Sequence, residues 1–183
     1  MVLGLASTAT LAATGVLNVR RAPPPASCAA PALAGTVVDV TLADMGGMMG
    51  PYWDGARDKA AATERAGRQM MHILATPSAV APGPVSLRVH NSGALTHEVL
   101  VLPLAADQLP GLRAIGADGR VDESDSLGEA SRSCGADGGD GIVPGAMAWT
   151  TVTLPRGRYE LLCNIAGHYG AGMYAEVDAV VGR

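Results

Sequence analysis

Tyr159-Glu160-Leu161-Leu162-Cys163-Asn164-Ile165-Ala166-Gly167-His168-Tyr169-Gly170-Ala171-Gly172-Met173 sets a thiol, an imidazole and a thioether in line, with four residues between each and the next. Residues 157–163 read as a strand that ends on the thiol, and residues 173–181 as a strand that begins on the thioether. A loop that leaves a sheet and re-enters it beside its exit brings its two ends together. Cys163, His168 and Met173 can then converge on one point. Gly167, Gly170 and Gly172 let that loop turn tightly around a small object.

The rest of the composition agrees with strands. The chain has 183 residues, the length of one domain. Hydrophobic residues make up 48% and charged residues 16%, which excludes a disordered polyampholyte. A net charge of −4 with 13 Lys+Arg argues against a nucleic-acid binder, which needs a basic face. Phe is absent, and the aromatic residues are Tyr52, Trp53, Trp149, Tyr159, Tyr169 and Tyr174, so the core is aliphatic. Gly 24 and Pro 12 disfavour long helices and suit short strands joined by turns.

Outward from the quoted stretch, residues 36–42, 70–75, 85–90, 96–102 and 148–154 read as further strands. Val85, Leu87 and Val89 alternate onto one face, and Asn91-Ser92-Gly93 supplies the turn that follows. Residues 96–102 are largely apolar and belong in the middle of a sheet. Residues 105–141 have no sustained period and read as a long excursion between sheets. The sum is an all-β domain, a Greek-key β-sandwich of about seven strands.

The thiol, imidazole and thioether need one more donor to make a trigonal set of two histidines and one cysteine with a weak axial methionine, the arrangement that suits a blue copper centre. His97 offers it, at the start of a strand directly after a turn. With Asn91 to Val99 and Tyr159 to Met173 both in view, the chain resembles the cupredoxins, and most of all the sulfocyanin-type and auracyanin-type exported blue copper proteins. The resemblance spans roughly residues 37–181 and is strongest over 97–102 and 159–177. It implies one type 1 copper held by His97, Cys163, His168 and Met173. It also implies single-electron traffic with redox partner proteins, membrane-associated ones among them, through an exposed edge of His168. His90, on the polar face of its strand, and His72 are expected to have no part in the site. One departure stands out: many cupredoxins carry Asn or Ser directly after the first histidine, to tie the copper loops together, where this chain has Glu98. Asn164 is expected to take over that work.

Enzymatic readings find little support. The four histidines form no His-x-His or His-Cys-His element for a multicopper cluster, and Gly167 stands where a binuclear site needs its second cysteine. Four protein donors leave no open position for a substrate. The alternative class is an extracytoplasmic copper chaperone or store, with Met45, Met48 and Met49 as soft Cu(I) ligands on a Gly-rich loop. The competing reading of that loop is adaptable apolar cover. A short surface helix is expected over residues 54–69, with Asp54 as its N-cap.

Residues 1–21 read as an apolar export signal or membrane anchor whose basic region lies upstream, residues 22–35 as a Pro/Ala-rich tether, and residues 36–183 as the copper-binding domain. Such a chain works outside the cytoplasm, periplasmic or at the cell surface. With Cys163 assigned to the metal, Cys28 and Cys134 remain as an even pair, read as a disulfide on grounds of compartment. Two free thiols, or a lipidated Cys28, are the competing readings.

Overall fold

Alternating apolar residues in the sequence become strands with one face against a common core. The computed structural model describes residues 28–44 and 71–181. In chain order the strands are β1 (Thr36–Asp44), β2 (Met71–Thr76), β3 (Ala79–Val80), β4 (Gly83–Asn91), β5 (Val99–Leu104), β6 (Gly128–Ala130), β7 (Gly135–Ala136), β8 (Met147–Leu154), β9 (Gly157–Leu162) and β10 (Tyr174–Ala179). No helix occurs among the described residues. The expected helix at 54–69, the methionines at 45, 48 and 49 and the apolar segment 1–21 lie outside them.

Two five-stranded sheets result, ordered β2-β1-β4-β8-β7 and β3-β10-β9-β5-β6. Both are mixed: β1 runs parallel to β4, β7 to β8 and β3 to β10, and the remaining pairs are antiparallel. This is the all-β sandwich that the strand pattern indicates. Val38, Val40 and Leu42 of β1, Val85, Leu87 and Val89 of β4, and Ala148, Val152 and Leu154 of β8 meet Val99, Val101, Tyr159, Leu161 and Val177 of the other sheet.

β5 reads as a nearly continuous apolar run because both of its faces are covered, as in any sheet buried on both sides. Val99 and Val101 point into the main core, while Leu100 and Leu102 point the other way. There they form a second cluster with Val121, Leu162 and Tyr169, under the excursion that follows β5. The excursion is therefore more ordered than its composition suggests. It contains β6, paired with β5, and β7, paired with β8, and a bridge between Ile115 and Val121 closes a small turn. These pieces of two and three residues are too short to show a period.

A disulfide between Cys28 and Cys134 ties the segment before β1 to the excursion, across a sequence separation of 106. At the other end of the sandwich the Tyr159 hydroxyl donates to the Pro155 carbonyl at 2.7 Å and pins the β8–β9 corner. Burial raises the Tyr159 phenol above its ordinary value. A raised native value means that the unfolded chain gives up this proton first. The contribution to stability is therefore complete below pH ~10 and is lost as pH climbs through the native value. We expect Tyr159→Phe to cost about 1 kcal/mol at pH 7, from the lost hydrogen bond. Its stability should then decline less than that of the wild type between pH 9 and 11, in denaturant titrations at each pH.

Candidate metal centre

Two stretches far apart in sequence supply the site. β4 ends at Asn91, whose side chain organises the next turn: its Oδ1 accepts the Gly93 N–H, and its Nδ2 donates to the carbonyls of Leu95 and Ile142. His97 leaves that turn on an isolated bridge to Ile142, just ahead of β5, rather than inside a strand. The second stretch joins β9 to β10. The Cys163 N–H donates to the Met173 carbonyl, and the Met173 N–H donates to the His168 carbonyl, each at 3.1 Å, so the ends of the loop are laced together. Gly167 and Gly172 hold φ of 84° and 97°, the left-handed region that this tight path requires.

Three of the four predicted donors come together. His97 Nδ1 and His168 Nδ1 are 3.2 Å apart, and Cys163 Sγ is 3.4 Å from His168 Nδ1. One ligand atom from each of His97, Cys163 and His168 lies within 4.8 Å of the others. Met173 belongs to the same buried cluster as Cys163, with no exposed surface. His97 and Cys163 are fully buried and His168 is half-buried. His90 is exposed on β4 and His72 lies on β2, and neither joins the cluster.

The chemistry of this donor set fits copper. Two imidazole nitrogens and a thiol sulfur face one point from a dry enclosure, with a thioether residue alongside, and that combination of soft and borderline donors suits Cu(I) and Cu(II) alike. Burial pushes the Cys163 thiol up to about 12, against the N–H groups of Ile165 and Glu98, which favour the thiolate. A metal bound there displaces the thiol proton. Burial, and then the neighbouring His97, hold His168 below the ordinary imidazole range, which favours the neutral ring that a metal ligand needs.

The roles of three residues escaped the sequence reading. Glu98, rather than Asn164, ties the loops: its backbone N–H reaches Cys163 Sγ at 3.4 Å, and its Oε1 accepts the Asn164 N–H at 3.1 Å. The Asn164 side chain turns away, exchanging hydrogen bonds with the Val121 backbone and donating to Glu123. A carboxylate thus does here what an amide or hydroxyl does in the commoner pattern, and burial raises its pKa. Glu160 sits beneath Tyr169, the residue after His168, and accepts from its hydroxyl. Asp44, at the end of β1, accepts from His97 Nε2 at 2.8 Å. Burial opposes its charge, but hydrogen bonds from His97, Leu95 N–H and Ala94 N–H outweigh that and hold the carboxyl below its usual value. Nothing local in the sequence marks Asp44.

Solved structures of similar chain path include an auracyanin from the photosynthetic bacterium Roseiflexus castenholzii, at 15% identity over 58% of this chain and 87% of that one, with a TM-score of 0.42. Reduced rusticyanin matches at 16% identity over 80% of this chain and 81% of its own, with a TM-score of 0.43. Auracyanin A of Chloroflexus aurantiacus, a "blue" copper protein, matches at 15% identity over 79% and 99%, with a TM-score of 0.41. No curated protein sequence matches the chain. Residues 71–182 hold every strand from β2 onward together with His97, Cys163, His168 and Met173, and it is this part that matches the Sulfocyanin (SoxE) domain. The match takes in more than half of the sequence, and the chain belongs to that family.

Proposed function

We propose that the protein is a mononuclear type 1 copper protein that carries single electrons between redox partner proteins outside the cytoplasm. His97 and His168 would hold the copper through Nδ1 and Cys163 through its thiolate, with Met173 as the fourth, thioether donor. The observation that carries this reading is the meeting of His97 Nδ1, His168 Nδ1 and Cys163 Sγ from two distant stretches in one buried pocket.

Copper, when bound, supplies the one-electron Cu(I)/Cu(II) couple. The residues of the chain do the rest. The backbone bonds among Cys163, His168 and Met173 fix three donors in one frame, so little has to move when the charge changes. The Glu98 N–H, aimed at the Cys163 sulfur, stabilises its thiolate form. Full burial of His97, Cys163 and Met173 keeps water from the donors. His168 alone of the four has an open edge, and it is the electron port. Exposed Ile115 packs against Gly170, while Leu95 and Val143 flank His97 and its bridge partner Ile142, which gives a redox partner an apolar landing. The Cys28–Cys134 disulfide supports an oxidising compartment. With four protein donors the reading is a carrier, not an enzyme.

The test is to load the protein with Cu(II), record visible and EPR spectra, and repeat with Cys163→Ser. A thiolate bound to Cu(II) gives an intense charge-transfer band and a narrow copper hyperfine splitting. The serine variant should lose both while the sandwich stays folded. A chaperone or store would bind Cu(I) and stay colourless. Uptake of one Cu(II) by the wild type without that band would refute the electron-carrier reading.

A further inference from the structure

We propose that Asp44 is a positioning residue of the metal centre: its buried carboxylate accepts the Nε2–H of His97 and so presents the Nδ1 lone pair to the pocket shared with His168 and Cys163. The inference rests on the copper reading, and it comes from outside the family match, which begins at residue 71.

The His97 side chain is 0% exposed and that of Asp44 1%, so no water can serve the far ring nitrogen and a protein group must. The Asp44 Oδ2 atom gathers three donors: His97 Nε2 at 2.8 Å, Ala94 N–H at 2.8 Å and Leu95 N–H at 3.1 Å. One oxygen thus holds both the ring and the two backbone groups that lead into it. The sheet delivers it there. β1 runs parallel to β4 with Leu42 beside Asn91, and both the Ser92 N–H and the Ser92 hydroxyl donate to the Leu42 carbonyl. The end of β1 therefore lies against the turn that carries His97. Gly93 completes the fit, since a Cβ on it would run into the Asp44 carboxylate.

A carboxylate on the far nitrogen of a ligating histidine fixes its tautomer and orientation and makes it a stronger donor. It also adds a negative charge to the enclosure. Together with the Cys163 thiolate it balances Cu(II), whereas Cu(I) would leave an excess negative charge in a dry site. Asp44 therefore favours the oxidised state.

Asp44→Asn and Asp44→Ala separate the two effects, because an asparagine Oδ1 can keep the three hydrogen bonds made to Oδ2 while the charge is removed. In Asp44→Ala we expect Cu(II) affinity to fall ~10–100-fold. Cu(I) affinity should fall less, so the reduction potential rises by about 59 mV for each tenfold difference. Asp44→Asn should keep the wild-type fold and spectrum and still raise the potential, which a purely structural residue would not do. Wild-type potentials in both variants would overturn the proposal. Metal-free protein gives an independent arm: long-range proton–nitrogen NMR correlations should show His97 as the Nε2–H tautomer in the wild type and as a mixture in Asp44→Ala. An Nδ1–H tautomer in the wild type would also overturn it. This arm decides the role of Asp44 even if Cu(II) loading yields no charge-transfer band and the copper reading falls.

Discussion

Glu160→Gln should cost the metal-free protein about 3–5 kcal/mol, the size expected when one partner is taken from a buried ion pair. Glu160 has no exposed surface, and the Arg113 side chain is only 16% exposed. The Glu160 Oε1 atom accepts from Gly111 N–H at 2.6 Å and from the Tyr169 hydroxyl at 3.1 Å, while Oε2 accepts from Arg113 Nε. Arg113 also donates through its own N–H to the Tyr169 oxygen and through its guanidinium to the Pro103 carbonyl. Glutamine keeps the volume and one acceptor but strands the Arg113 charge. Arg113→Met combined with Glu160→Met should recover much of the loss, because apolar replacements leave no charge unpaired. Chemical denaturation of the three variants measures it. A loss under 1 kcal/mol in Glu160→Gln would mean that the pair is solvated in solution. Tyr169 follows His168 directly, so this network also anchors His168 to the excursion.

Removing the disulfide should have an effect of similar size. In the chain-entropy model a cross-link that closes a loop of ~100 residues stabilises by ~4.7 kcal/mol, and native bridges commonly contribute about 2–5 kcal/mol. The Cys28–Cys134 bridge closes such a loop, with Cys28 packed against the main core and the Cys134 N–H bound to the Met147 carbonyl. Replacing both cysteines by serine should lower the denaturation midpoint accordingly, with the Cu(II) spectrum unchanged because neither cysteine belongs to the cluster of His97, Cys163 and His168. Thiol counting on unfolded, non-reduced, metal-free protein should find one thiol, that of Cys163; finding three would remove the bridge. In the native metal-free protein that thiol is buried and its pKa is raised to about 12, so it should react only slowly at neutral pH.

What was legible in the sequence was whatever repeats or keeps a spacing. The alternation in β1, β4 and β8 is visible because one face of each meets the core. Cys163, His168 and Met173 are visible because one short loop carries all three, and His97 because it follows a turn signal into an apolar run. The partners that come from elsewhere were not legible. Asp44 is one acid at a strand end, and only the parallel β1–β4 pairing brings it to His97. Glu160 stands out as a carboxylate in an apolar strand, but its partner Arg113 lies in a stretch with no period. Glu98 looked like a departure that Asn164 would offset, because sequence says nothing of which side chain faces the neighbouring loop. β3, β6 and β7 are set by the strands they pair with rather than by their own residues.

The pairing of Asp44 with Met71 at the open end of the β1–β2 ladder has an evolutionary consequence. Whatever the chain does across residues 45–70, it departs and returns at neighbouring points, about 5 Å apart. The length of that segment is therefore independent of strand register, and each doubling costs only about 0.6 kcal/mol in closure entropy. Insertions, deletions or a grafted recognition module can be exchanged at this point without re-threading the sandwich. Because Asp44 is both the point of departure and the partner of His97, such an exchange stays compatible with the donors only while this one carboxylate is kept.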